Sequence, residues 1–482
     1  EVLKDAASAA IYGSRGANGV VLITTRKGKA GKSQIGFSAS YGTQEAIKTI
    51  PVVSGPQYQE YLAEVFSAFG LPYADLAPLL SGGLKEADNN WQEEIFQQSL
   101  IQEYSANISG GDEKTKFYAN LGFFEDEGII KNSGFERLSG RLNIDHFASD
   151  KVSFGINVSY ANSNTRRIQN DNNIFGALST AILLPPTVNI REEDGSYGSA
   201  FGLENPVAAI TDYRNVVNRG RLIGSAYASY FLTPELSARV TLGADLLDLR
   251  EDEFQPSVLQ SSNTGTVTVG TISDKRITHD YTLNYTKDFG NSSLRGVVGF
   301  GFQEDKINRT LVVANDFPTD DFSGLSAGAT PTTTNGDFTG DNLRSYYANV
   351  NYSFAGKYIV TGVFRVDGSS RFINDPFGYF PGISAAWRLS EENFLKNSNL
   401  ISDLKIRAGW GQTGNNNIGN FTARQLFNGG NNYLDLPGIA PFQIGNPDLK
   451  WETTTTVDVG LDFAFGTGRV SGSIDFYVKN TE

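Results

Sequence analysis

Metal or acid–base chemistry needs imidazoles, carboxylates or thiolates in close register, and this chain of 482 residues offers few. Its two histidines, His146 and His279, fall in separate alternating segments with no acidic or cysteine neighbour at ligand spacing, which argues against a metal centre. There is no cysteine, so neither a disulfide framework nor a thiolate site can form. Asp316, Asp320 and Asp321 make one acidic cluster in a loop. A calcium ion takes about six to eight oxygens, so these three are a weak metal candidate beside the simpler reading of a solvated loop. Gly31-Lys32-Ser33 resembles the end of a phosphate-binding loop, but the glycine required five positions earlier is Arg26. No nucleophile elbow and no paired catalytic carboxylates stand out. The chain therefore reads as a non-enzyme with no cofactor.

Four tryptophans could stack on sugar faces. Trp387 shares strand parity with Ile383, Ala385 and Leu389, Trp410 with Leu404, Ile406 and Ala408, and Trp451 with Val457 and Leu461. Parity puts all three on an apolar face, where a belt at a membrane interface is the simpler role. Trp91 lies in a long connection and is the weak candidate for a substrate contact.

The formal net charge is −13, and no basic stripe suggests nucleic acid. No apolar run reaches the roughly 18 residues of a transmembrane helix. What fills the chain is alternation of apolar and polar residues. Val152, Phe154, Ile156, Val158 and Tyr160 take one face of a strand, with Ser153, Gly155, Asn157 and Ser159 opposite. Leu236 to Leu246, Val457 to Phe465 and Val470 to Lys479 repeat the pattern. About fifteen such segments follow Ser33, the weak signature of a membrane barrel.

Alternation alone does not separate a barrel from a soluble sandwich, but the connections do. Short ones fall near Gly110–Lys114, Phe147–Lys151, Leu232–Glu235, Lys287–Ser292, Phe354–Lys357 and Gly466–Gly468. Long ones are expected at Gly42–Ser99, Ala161–Asn218, Arg250–Arg276, Glu304–Asn342 and Gly414–Lys450. Turns on one rim and loops on the other are what outer-membrane barrels show. Ser390–Asp403 is long for its rim. Within the first loop, Gln57–Phe69 has helical spacing, capped by Ser54 with Pro56 in the first turn. Asp88–Gln98 is a second short helix.

The opening stretch, residues 1–29, differs from everything after it. Leu3, Ala6, Ala7 and Ala10 recur at helical spacing. Gly13, Ser14, Arg15, Gly16, Ala17, Asn18 and Gly19 form a glycine-rich turn. Val20–Thr25 then reads as a strand buried on both faces.

This stretch closely resembles the end of the plug domain in the SusC/RagA family of TonB-dependent outer-membrane transporters. Tyr379-Phe380-Pro381, Ala386-Trp387-Arg388-Leu389-Ser390-Glu391-Glu392, Gly411-Gln412-Thr413-Gly414-Asn415 and Asn446-Pro447-Asp448-Leu449-Lys450-Trp451-Glu452 are similar to barrel motifs of the same family. The resemblance implies an all-β fold: a transmembrane antiparallel β-barrel, incomplete at about 15 of 22 strands, with the C-terminal remnant of an N-terminal plug domain. Residues 1–31 would be the end of the plug and 32–482 part of the barrel. Gly13, Ser14, Arg15, Gly16, Asn18 and Gly19 become plug-turn candidates, and Arg15 would hydrogen-bond plug or wall carboxylates.

The resemblance also implies import across the cell outer membrane with a SusD-like surface lipoprotein. Energy would come from the TonB-ExbB-ExbD complex, and the cargo would be an oligosaccharide or oligopeptide. The alternative is a passive porin or adhesin barrel, which has no reason to carry the opening module. The chain opens inside a motif without an initiating methionine, so it reads as a fragment. Its first and last strands are then expected not to pair.

Overall fold

The computed structural model describes residues 2–3, 11–16, 19–71, 87–169, 173–259, 262, 264–398, 400–434 and 436–482. Fifteen strands form one antiparallel sheet in strict chain order. They are β1 (Gly31–Gln44), β2 (Ser99–Gly111), β3 (Thr115–Glu127), β4 (Gly134–Ser149), β5 (Val152–Arg167), β6 (Arg214–Phe231), β7 (Leu236–Gln255), β8 (Thr266–Phe289), β9 (Ser292–Asn315), β10 (Thr330–Phe354), β11 (Tyr358–Ser369), β12 (Phe377–Arg388), β13 (Ile401–Asn415), β14 (Glu452–Phe465) and β15 (Val470–Thr481). Among the described residues no ladder joins β1 to β15. The sheet is an open wall with two bare edges.

The two faces follow the alternation. On β5, Phe154, Ile156 and Tyr160 are each nearly half exposed, whereas Ser153 on the other face is 5% exposed. The exposed face is the apolar one, the inverse of a soluble sandwich and the arrangement that lipid selects. Register carries the pattern across strands, with Leu142, Val158 and Gly224 in one outward row.

The two rims are built as the connections required. Two-residue turns close β4–β5 and β8–β9, while residues 45–98 and 168–213 make long excursions on the opposite rim. Two of the expected loops are instead mostly ladder. Arg250 pairs with Thr271 and Glu304 with Asn342, so only residues 256–265 and 316–329 leave the sheet there. β8, β9 and β10 run for 24, 24 and 25 residues, about 80 Å at the usual rise. A strand needs only about 9–11 residues to cross a bilayer. The surplus stands above the long-loop rim, where outward residues such as Asp248, Arg250 and Asp252 are polar. Pairing persists there although the alternation that reveals it has stopped.

The long connections fold on themselves. Helix α1 (Gly55–Ala68) starts at Ser54 with a reciprocal capping box to Gln57. Helices α2 (Trp91–Ile95), α3 (Ala177–Leu183) and α4 (Pro206–Thr211) bring Trp91, Ile95, Ile130, Ala181, Leu184 and Ile210 into one apolar cluster.

Three expectations at the ends of elements change. Leu3 is not helical. Val2–Leu3 is a strand paired with Val20–Val21; residues 4–10, the rest of the expected helix, lie outside the described residues. The strand expected over Val20–Thr25 is only those two residues, and Val21 and Ile23 are well exposed. Trp387 and Trp410 do face outward, but Trp451 does not. It precedes β14, so strand parity does not govern it. Its ring packs 5.5 Å from that of the fully buried Phe380 and 5.0 Å from that of Phe372, and its indole N–H donates to the Pro376 carbonyl at 3.1 Å.

Placing arginine at Val158 should destabilise the wall by about 2–4 kcal/mol near the bilayer midplane. Arginine at Asn157, one residue along and facing in, should cost much less. Urea titrations of the complete protein in lipid vesicles measure the difference, and equal costs would reverse the assignment of faces.

Candidate functional site

The inner face of β11 carries Arg365 and Asp367, two residues apart and therefore on one side of the strand. Their side chains are 4% and 0% exposed. Arg365 Nε donates to Asp367 Oδ1 at 2.7 Å and Nη2 to Ser345 Oγ of β10 at 2.8 Å. A buried pair survives desolvation only when its remaining donors and acceptors are filled. Here the opening stretch supplies one of each: Arg365 Nη1 donates to the Ile11 carbonyl at 2.7 Å, and the Ser14 N–H donates to Asp367 Oδ2 at 3.0 Å.

The turn is shaped for that seat. Gly13–Arg15 is a single 3-10 turn, closed by the Gly16 N–H on the Gly13 carbonyl at 3.0 Å. Gly13 has φ +52°, and a Cβ there would overlap the Asp367 carboxylate and the Arg365 side chain. Only glycine meets both demands. Gly19 N–H bonds the Gly16 carbonyl at 3.0 Å. Asn18 lies outside the described residues. Of Arg15 the backbone is described, in the turn; its side chain, and with it the expected carboxylate contact, lies outside the described residues.

A second tie lies further along. Gly28 rests against the Phe117 peptide of β3 so closely that a Cβ would overlap it. Asn143 Nδ2 donates to the Arg26 carbonyl at 2.7 Å, and Lys27 Nζ sits 3.7 Å from Asp145 Oδ2 with its side chain 54% exposed. Asp145 also accepts from Tyr227 Oη at 2.6 Å. The opening stretch thus crosses the concave face from β11 to β3 and β4. Around it the inner wall is charged and internally paired, with Arg221 on Asp245 at 2.6 Å, Arg276 on Asp305 at 2.6 Å and Arg371 on Asp341 at 2.9 Å.

The long-loop rim holds a cavity of about 1130 Å³ whose lining includes Arg191, Tyr197, Tyr213, Arg214, Asp320 and Asp321. Arg191 lies 4.0 Å over the Tyr197 ring and also donates to its hydroxyl at 2.7 Å. Burial, with Asp212 nearby, pushes the Tyr197 phenol up to about 12. Burial raises Tyr213 too, and its hydroxyl donates to Glu253 at 3.0 Å. Both phenols stay neutral donors at any physiological pH. Donors, acceptors and aromatic faces of both charge signs line one space, a setting that suits a polymer of hydroxyls or amides.

The acidic cluster does not converge. Asp320 accepts from the Ser257 N–H at 2.7 Å and its hydroxyl at 2.9 Å, Asp321 accepts from Thr319 at 3.3 Å, and Asp316 is held low by Thr330 and Thr264 hydroxyls. No metal-holding group of side chains occurs among the described residues. Trp91 is 2% exposed and gives its N–H to the Pro185 carbonyl at 3.1 Å, so its faces pack the loop cluster and none is open to a sugar. Arg365 and Asp367 were not singled out in the sequence. Opposite charges two apart on an otherwise apolar strand were the available signal.

Residues 81–482 match the family model described as TonB dependent receptor-like, beta-barrel. TonB-dependent receptor P26 of Formosa agariphila is 32% identical over 504 residues, covering 100% of this chain and 50% of that protein. TonB-dependent receptor SusC of Bacteroides thetaiotaomicron is 30% identical over 527 residues, with the same two shares. The chain thus spans about half the length of the curated relatives it matches. The solved RagAB peptide transporter shares the fold with TM-score 0.86 at 24% identity, over 100% of this chain and 58% of that one.

Replacing Asp367 by asparagine strips the buried Arg365 of its counter-charge, a loss of about 3–5 kcal/mol when one partner of such a pair is removed. Amide exchange at residues 11–16 of the complete protein should accelerate while the β10–β11 ladder stays protected. Gly13→Ala should do the same by clash.

Proposed function

The chain belongs to the TonB-dependent receptor β-barrel family, and from that premise we propose that it is the wall and plug end of a SusC-type importer of the outer membrane. Residues 1–31 act as the close of the plug and residues 32–482 as fifteen of about 22 barrel strands. The remaining strands, about seven, would satisfy the two bare edges, since lipid offers an unpaired backbone group no partner. Transport is the role, and no part of it calls on an enzyme.

One observation carries this reading: the N-terminal turn is seated on the inner wall by a buried ion pair. A passive pore needs an open lumen, and a segment fixed across it obstructs diffusion. A plug that must move needs an external source of work, which the TonB-ExbB-ExbD complex supplies by the family resemblance. A SusD-like lipoprotein is the partner expected over the long-loop rim, and oligosaccharides or oligopeptides are the cargo. The mixed polar cavity at that rim supports such a cargo. Nucleic acid is not a partner.

Uptake of fluorescent oligosaccharides and oligopeptides by cells carrying the complete protein separates active from passive entry. Import should vanish when TonB is deleted; entry that persists without TonB would leave the porin reading standing.

Orientation follows from the same proposal. The long rim faces outside and the short turns face the periplasm. In a cysteine-free background, Asn335→Cys should react with a membrane-impermeant maleimide on whole cells and Glu113→Cys should not. The reverse pattern would overturn the topology.

A further inference from the structure

The outward face of β8, β9 and β10 carries an aromatic row with cationic side chains beyond it toward the long-loop rim. Tyr281, Phe300 and Tyr346 stand side by side on adjacent strands, with ring centroids 6.1 and 5.2 Å apart. Such a row marks the boundary between hydrocarbon and headgroups. One row toward the long-loop rim is His279–Phe302–Arg344. Two rows further, Lys275 faces Lys306 directly across β8 and β9.

Like charges directly opposite one another destabilise a sheet. Glu304 pairs with Lys306 at 2.8 Å, but Lys275 and Arg344 have no ion-pair or hydrogen-bond partner among the described residues. The carboxylates of the neighbouring inward rows, Asp305 and Asp341, are taken by Arg276 and Arg371. Beside Lys306 a cavity of about 250 Å³ is lined by Glu304, Phe338 and Asn342, and at its inner end by Asp305, Asp341, Arg371 and the loop residue Arg424. On this outward face Lys275, Lys306 and Arg344 thus outnumber the carboxylates beside them, Glu304 and, one row further on β7, Asp248, in a chain whose net charge is −13.

We propose that this patch binds the phosphate groups of an outer-leaflet lipid, whose acyl chains lie along the Tyr281–Phe300–Tyr346 row. The assignment rests on the barrel spanning the membrane with its long rim outward, as proposed above. Ammonium and guanidinium groups beside a low-dielectric surface attract phosphate strongly, and the aromatic row below them gives the chains a surface to pack on. A soluble acidic polymer would need the cations without the aromatic row.

Native mass spectrometry on the complete protein, extracted in neutral detergent, reads the site. The probes are diphosphorylated lipid A, the same glycolipid with its phosphates removed, and inorganic phosphate. The diphosphorylated lipid should bind. The dephosphorylated one should bind at least tenfold more weakly. Lys275→Gln/Lys306→Gln should weaken the diphosphorylated lipid roughly 25-fold, about fivefold per cation. Lys287→Gln, at the opposite rim, should leave it unchanged. Equal binding by the double variant, or full competition by millimolar inorganic phosphate, would overturn the lipid assignment. Failure of the same protein to enter lipid vesicles would instead sink the membrane-barrel reading, so the two failures are distinguishable.

Discussion

Lipid cannot hydrogen-bond a peptide, and the architecture answers to that constraint. Every N–H and C=O in the bilayer must find its partner in the sheet. A meander in chain order meets the demand with the fewest crossings, because each strand pairs with the one just made. It also explains why the fold tolerates such weak local signals. A strand here needs no buried core on its apolar face, only a neighbour at each edge and side chains that accept lipid on one side and water on the other. The edges of β1 and β15 are where the demand is left unmet.

The same constraint decides what the sequence could disclose. Alternation at Val152–Tyr160 is legible because lipid and lumen impose opposite polarity on successive residues. Above the bilayer both faces meet water, the polarity contrast vanishes, and the ladder from Arg250 to Thr271 looks like a loop. Helix α1 was readable from Ser54 and Pro56 because capping is local. Trp451 was misread because parity was extended one residue past the start of β14, where the chain turns inward onto Phe380. The Arg365–Asp367 seat was missed for a different reason. Its partner is some 350 residues away in sequence, at Ile11 and Ser14, and no periodicity links them.

The two ties on the opening stretch differ in kind. The one at β11 is dry: a hydrogen-bonded, buried charge pair, with a glycine that nothing else can replace. The one at β4 is mixed: the Arg26 carbonyl on the buried Asn143, and a half-exposed lysine near Asp145. Water can replace the lysine contact of the second as it opens, whereas the charges of the first are shut off from water while the turn is seated. Work applied to the stretch therefore meets unequal resistance along its length.

The loop cluster around Trp91 draws its side chains from residues 91–96, 129–130 and 168–210, and none from the ladder. The rim thus owns a small core of its own, built from apolar packing, whereas the wall is held by edge-to-edge hydrogen bonding. Two cooperative units with different driving forces share one chain. A calorimeter would record the first as a low-temperature shoulder with an apolar heat-capacity step. A change of packing within the crown removes no hydrogen bond from the ladder beneath it.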